Sequence, residues 1–182
     1  MARPRFHALT SLAGAALAYR RWGPGAALGL VAGGLLVDLD HLADFAWVSR
    51  RGRRTEFLAP LHAWELVAAG TALALWLRRR RHAAAFEAAP KAAPGEETLA
   101  PDAADGEPPP GHRPGGGEGV LLGLVAGLVL HLVQDVIANR PRHAGVYSIL
   151  YRVRHGFDRD RIGWEDHTSF HEWSGNPWYT WI

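Results

Sequence analysis

The stretch "GVLLGLVAGLVLHLVQDVIAN" (119–139) is apolar for about three turns and then admits His131 and Asp135. A proline-free run of this length reads as a helix. The four-residue spacing within "HLVQD" sets both ionisable side chains on one helix face. The small-residue spacing in "GLVAG" (123–127) permits close approach of another helix. An unpaired charge among apolar side chains costs several kcal/mol, so His131 and Asp135 require partners elsewhere in the chain.

The remaining segments punctuate as further helices. A first helix is expected near Phe6–Trp22, ended by "GPG" (23–25), with Pro24 suited to open the next. The second is expected from Ala26 to Trp47, and an Arg/Gly loop follows it. Pro60 opens a third, "PLHAWELVAAGTALALWLRRR", with arginines in its last turn. Residues 82–118 are rich in Pro, Gly, Ala and acids, a composition too poor in large apolar side chains to bury a core. They are expected to be a disordered linker. Residues 119–182 supply the fourth helix and a His/Trp-rich tail that joins residues 1–81 in one domain. The expected fold is all-α, a bundle of about four core helices with an aromatic C-terminal tail.

The 182 residues contain no cysteine, which excludes disulfides and thiolate metal ligands. Twenty Lys and Arg against 18 Asp and Glu give a net charge of +2, with ten His besides. The basic charge is concentrated in Arg20–Arg21, "RRGRR" (50–54) and "RRRR" (78–81). Short clusters of this kind form solvated loops or meet anionic lipid head groups. No stacking motif or recognition-helix pattern accompanies them, so no nucleic-acid partner is expected.

The runs Trp22–Val37, Leu66–Leu77 and Gly119–Gln134 each fall short of the roughly 20 apolar residues of a clean spanning helix. If four segments crossed, Arg20–Arg21 and "RRRR" would share one side and "RRGRR" would face the other, against a simple positive-inside pattern. Trp22, Trp47, Trp64 and Trp76 nevertheless sit near the ends of apolar runs, where interfacial aromatics belong. These cues divide between a soluble bundle and a membrane-associated one, and the membrane reading is preferred. The N-terminus has a basic start and a weak apolar stretch, read as a core helix rather than a signal peptide.

Each expected helix carries ionisable residues of metal-ligand type. His131 and Asp135 lie on the fourth, His62 and Glu65 in "HAWE" on the third, Asp38, Asp40 and His41 at the end of the second, and His7 near the start of the first. In an up-down bundle the ends of helices two and four share a side with the starts of helices one and three. All four sets therefore converge, as inward-facing pairs do in bundle metal sites. Each set also has a plain structural reading, as a hydrogen-bonded pair or a helix-end residue. The tail adds His167 and His171 in "WEDHTSFHEW" (164–173), which either complete a metal sphere or form a wet surface patch.

These motifs resemble the bacterial membrane-bound metal-dependent hydrolases, a family distantly similar in ligand pattern to zinc-dependent phospholipases C. The matching stretches are "FHALTSLAGAALAY", "GGLLVDLDH", the central His62 and "HLVQD". The resemblance implies His7, Asp38, His62, His131 and Asp135 as ligands, with Asp40 and His41 close by. Val37 stands where the family usually has Pro, and "LHAWEL" has one His where the family pattern has more. The resemblance implies a bacterial inner-membrane enzyme that hydrolyses a phosphoester or lipid-like substrate. It would use a divalent metal, zinc foremost, with manganese or iron as alternatives. Asp40 or Glu65 would be the general base or would orient the ligands, and His41 is added to the metal set. The rival expectation is a non-enzymatic membrane-associated protein with a structural polar or metal site.

Overall fold

The structure, a computed structural model, describes residues 4–43, 46, 58–88 and 116–164. The expected His167 and His171 patch and most of the expected linker lie outside these residues. Among the described residues there are helices and no strand, as expected of an all-α bundle. Four long or medium helices make the frame: α1 Pro4–Trp22, α2 Pro24–Leu35, α3 Trp64–Ala88 and α4 Gly116–Asn139. A 3-10 turn, Leu36–Leu39, extends α2. A second turn, Ala144–Tyr147, leads to the short helices α5 Ile149–Arg154 and α6 Arg159–Ile162.

The break between α1 and α2 is built as the sequence suggests. Gly23 takes φ 89°, a left-handed value that favours glycine, and its N–H closes α1 on the Tyr19 carbonyl at 3.0 Å. Pro24 then occupies the first turn of α2, where its missing N–H costs nothing.

Helix α2 lies parallel to α4 along a seam of glycines. A Cβ added at Gly25, Gly29 or Gly33 would strike the backbone at Gly116, Val120 and Leu124 respectively. One added at Gly123 or Gly127 would strike the carbonyls of Ala26 and Leu30. Both sets recur every four residues, so each helix presents a smooth groove to the other and the backbones meet directly. Because the paired positions rise together, the C-terminal ends of α2 and α4 share one end of the bundle. Helix α1 runs the opposite way: Gly34 faces Ser11, and Gly14 faces Leu30 and Leu130. Helix α3 also runs opposite to α4, with Gly70 facing Val125 and Arg81 bonded to Glu118.

The expected boundaries shift at three places. The second helix does not continue as α-helix from Ala26 to Trp47, because a 3-10 turn interrupts it at Leu36–Leu39. In an unbroken helix the Gly34 carbonyl would serve the amide four residues on; here His131 Nδ1 donates to it at 2.9 Å. The third helix starts at Trp64 rather than Pro60, because the side chains of Asp40 and Arg152 take backbone groups of the turn before it. It also runs past "RRRR" to Ala88, since "HAAAFEA" is a strong helix former, so the helical region extends into the expected linker at 82–88 and 116–118.

Large apolar side chains face outward along the bundle. Leu9, Leu12, Leu17, Leu28, Leu73 and Ile137 are among those exposed, whereas the interior combines glycine, alanine and ionisable residues with an apolar cluster that includes Leu128, Leu132, Tyr147, Ile162 and Trp164. Pro24–Ala43 and Gly116–Asn139 are long and apolar enough to cross a membrane, with mean hydropathy 1.5 and 2.2.

The seam makes a paired prediction. Gly123→Val should cost about 3 kcal/mol or prevent folding, by forcing backbones apart. Gly117→Ala meets nothing within 4 Å and should leave the protein as stable or slightly more so. Thermal unfolding of both variants in the same buffer checks this, and equal stability would refute the seam.

Candidate metal centre

The parallel seam brings the end of α2 beside the C-terminal half of α4, and the antiparallel α1 and α3 add their N-terminal ends. Seven of the eight expected site residues meet there. His7, Asp40, His62, His131 and Asp135 are buried, while Asp38 and His41 are partly exposed.

Two donor triads result, His7–His131–Asp135 and Asp38–His41–His62. Within each, one donor atom per residue lies within 4.8 Å of the others, so each triad is placed to hold a metal ion. The triads interlock. His131 Nε2 is 3.3 Å from Asp38 Oδ1, and His62 Nε2 is 3.2 Å from Asp135 Oδ2. His7 Nε2 lies 3.3 Å from Asp135 Oδ1, and its ring stacks on His131 at 4.1 Å. His41 Nε2 lies 3.7 Å from Asp38 Oδ1.

The decisive contact is between the two central imidazoles. His62 Nδ1 lies 3.0 Å from both oxygens of Asp40, and His131 Nδ1 lies 2.9 Å from the Gly34 carbonyl. An acceptor at Nδ1 holds the proton there and turns Nε2 outward as a lone pair. Yet the two Nε2 atoms face each other at 3.0 Å. Oxygens of Asp38 and Asp135 lie 3.2–3.6 Å from the same two nitrogens, so the space between them favours positive charge, carried by imidazole protons or by a metal ion. Oxygen and nitrogen donors with imidazoles held from behind are the usual setting for a divalent metal. His7 Nδ1, on the other side of the ring, is buried with no hydrogen-bond partner among the described residues.

Asp40 is enclosed rather than open to a substrate. Its carboxylate accepts from Leu61 N at 2.7 Å, from His62 N at 3.2 Å and from His62 Nδ1, which leaves it buried and fully engaged. It orients His62, the other role expected for it. Glu65 departs further. Its expected placement beside His62 assumed one continuous helix, but His62 precedes α3 and Glu65 turns away to the start of α5. There it accepts from Ser148 Oγ at 2.5 Å, Ile149 N at 3.0 Å and Leu150 N at 3.2 Å. Burial disfavours its charge, but these hydrogen bonds outweigh it and hold the carboxyl down at about 2. Glu65 is thus a helix-capping residue outside the cluster.

Arg152 is essential to the geometry and invisible to motif reading. Fully buried, it donates through Nη1 to the carbonyls of Leu58 (2.7 Å) and Ala59 (2.8 Å), and through Nη2 to that of His62 (2.9 Å). With Asp40 holding the amides of Leu61 and His62, one buried cation and one buried carboxylate replace the helical hydrogen bonds of this turn. Ala59, at φ 26°, shows how tightly the turn is drawn. A buried arginine satisfied by carbonyls has no sequence periodicity to announce it. Tyr147, stacked 6.4 Å from His62 and accepting from Asn139 at 2.9 Å, is equally silent. Burial pushes the Tyr147 hydroxyl pKa up, so it stays neutral.

His62 links the cluster to pH. Burial disfavours its charge, but the carboxylates of Asp135, Asp38 and Asp40 outweigh this and raise its pKa well above 6.5. A raised pKa contributes stability that is full below the unfolded value near 6.5 and is lost as pH rises through the folded value. Metal-stripped protein should therefore lose stability as pH is raised from 6.5 into the alkaline range. Metal-loaded protein should gain over the same range, because an ion displaces that proton. Melting curves across pH, with chelator and with metal, check the opposed slopes; parallel slopes would refute a shared site. Asp40→Asn should weaken metal binding about 10–100-fold. Glu65→Ala should leave it unchanged while costing about 1 kcal/mol of stability. Isothermal titration and unfolding of both variants test the division.

No family model, curated protein or solved structure matches this chain. Its function therefore has to be argued from the centre itself.

Proposed function

We propose that the protein is a membrane-embedded, metal-dependent hydrolase acting on a phosphoester or lipid-like substrate. The observation that carries this is a buried donor cluster that is partly exposed along one edge. The side chains of His7, His62 and His131 are at most 2% exposed, whereas those of Asp38 and His41 are 20% and 15% exposed. Structural metal sites are closed, and catalytic ones keep a position for water or substrate.

Divalent metal held by the triads His7–His131–Asp135 and Asp38–His41–His62 would supply Lewis acidity and an acidified water. Zinc fits the nitrogen- and oxygen-only donors, and manganese or iron would fit as well. Asp40 and the Gly34 carbonyl orient the two central imidazoles. Asp38 is the carboxylate at the partly exposed edge, the one nearest an entering water.

Leu36, Leu39, Leu42 and Leu61 are the residues that flank Asp38, His41 and His62 in the chain, and all four are exposed. Exposed apolar side chains next to the donor residues in the chain suit an acyl-chain-bearing substrate presented from a bilayer. The two helices of spanning length, the outward-facing leucines and the resemblance to membrane-bound hydrolases support placing the protein in a membrane, a bacterial inner membrane by that resemblance.

Purified protein should carry Zn, Mn or Fe that a His131→Ala, Asp135→Ala variant lacks. It should also release p-nitrophenol from bis(p-nitrophenyl) phosphate, lose that activity to EDTA and regain it with metal. Equal metal content in the two proteins would reject the centre. Metal-loaded protein inert towards this diester and towards phospholipid vesicles would reject the hydrolase and favour a structural metal site.

A further inference from the structure

The end of the bundle opposite the donor cluster gathers the two arginine clusters that the chain keeps far apart. Helix α1 runs away from the site and ends in Arg20, Arg21 and Trp22. Helix α3 also runs away from it and carries Trp76 and Arg78–Arg81 in its distal half. Arg81 Nη1 meets Glu118 Oε2 at 2.7 Å at the start of α4, and Gly25 at the start of α2 abuts Gly116. All six arginines are exposed. The acidic groups of the described residues at this end are Glu118, which Arg81 holds, and Glu87, further along α3.

Aromatics accompany the charge. Trp22 is 48% and Trp76 49% exposed, and the Arg80 guanidinium lies 4.6 Å over the Trp76 ring. Towards the site, the same helices present Leu17, Leu73 and Leu75 outward. An apolar belt ending in exposed tryptophan and then arginine matches the order hydrocarbon, interface, head group. Duplex or single-stranded nucleic acid would call for basic residues without an adjoining apolar belt, and for aromatics free to stack on bases.

We infer that this arginine-tryptophan end binds the phosphates of anionic phospholipids, anchoring the bundle at one membrane interface while the donor cluster sits at the other end. The inference rests on the membrane placement proposed above and is independent of the metal. The arginines bind head-group phosphates as charge partners, at about 1 kcal/mol for each arginine near the surface.

The test uses the full chain reconstituted by detergent removal into phosphatidylcholine vesicles, with or without phosphatidylglycerol. Quenching of tryptophan fluorescence by brominated lipids gives the relative affinity for the two lipids. Wild type should prefer phosphatidylglycerol about fivefold or more, the equivalent of ~1 kcal/mol from a single arginine. An R20Q/R21Q/R78Q/R79Q/R80Q variant, which keeps Arg81 on Glu118, should show no preference yet still float with the vesicles and bind metal. Equal quenching by both lipids in wild type, or a preference unchanged in the variant, would overturn the inference while leaving membrane placement intact. Failure to float with either vesicle would overturn both. Tighter binding of heparin or duplex DNA than of phosphatidylglycerol, abolished in the same variant, would also overturn it, in favour of a polyanion site.

Discussion

Everything at the donor cluster depends on how closely α2 and α4 approach. Glycines at 25, 29 and 33 on one helix and at 123 and 127 on the other bring the two backbones into contact and fix both register and direction. Because the packing is parallel, residues just beyond α2 come level with residues in the last turns of α4. A single side chain larger than hydrogen along this seam would separate Asp38 from His131, a contact now at 3.3 Å. Close backbone packing of this kind draws on van der Waals contact between main chains rather than on large side chains at the seam, and many leucines of the bundle are left exposed.

The cost of gathering so many ionisable groups is met by mutual pairing and by supports behind them. Asp40 and the Gly34 carbonyl each commit one imidazole nitrogen, and Arg152 commits the carbonyls of the turn that carries His62. Without them the two central Nε2 atoms would be free to turn apart. With them the nitrogens face each other at 3.0 Å. An arrangement held this firmly from behind, with carboxylate oxygens in front, is prepared for a positive charge. In metal-free protein a proton on His62 partly serves that purpose, which is why proton and metal are expected to compete.

Much of this is legible in the sequence, for identifiable reasons. Helical spacing finds His131 with Asp135, and up-down connectivity brings their end of the bundle to His7 and to the end of α2. Both inferences rest on periodicities that hold locally. The "HAWE" spacing misleads because it presumes α-helix across His62–Glu65, whereas tertiary hydrogen bonds from Asp40 and Arg152 hold the preceding turn open. Those partners lie about 20 and 90 residues away in sequence, beyond the reach of any local pattern. The 3-10 turn at Leu36–Leu39 escapes notice for the same reason, since the Gly34 carbonyl just before it is taken by a histidine on another helix.

The central claim is that these imidazoles and carboxylates bind one metal centre inside the bundle. X-ray absorption at the zinc edge of zinc-loaded protein addresses it most directly. The account predicts nitrogen and oxygen neighbours at about 2.0–2.1 Å with the outer-shell scattering of several imidazoles. That scattering should diminish when His62 or His131 is replaced by alanine. A spectrum of oxygen ligands alone, with no imidazole contribution, would mean that the ion sits on the surface and would contradict the account.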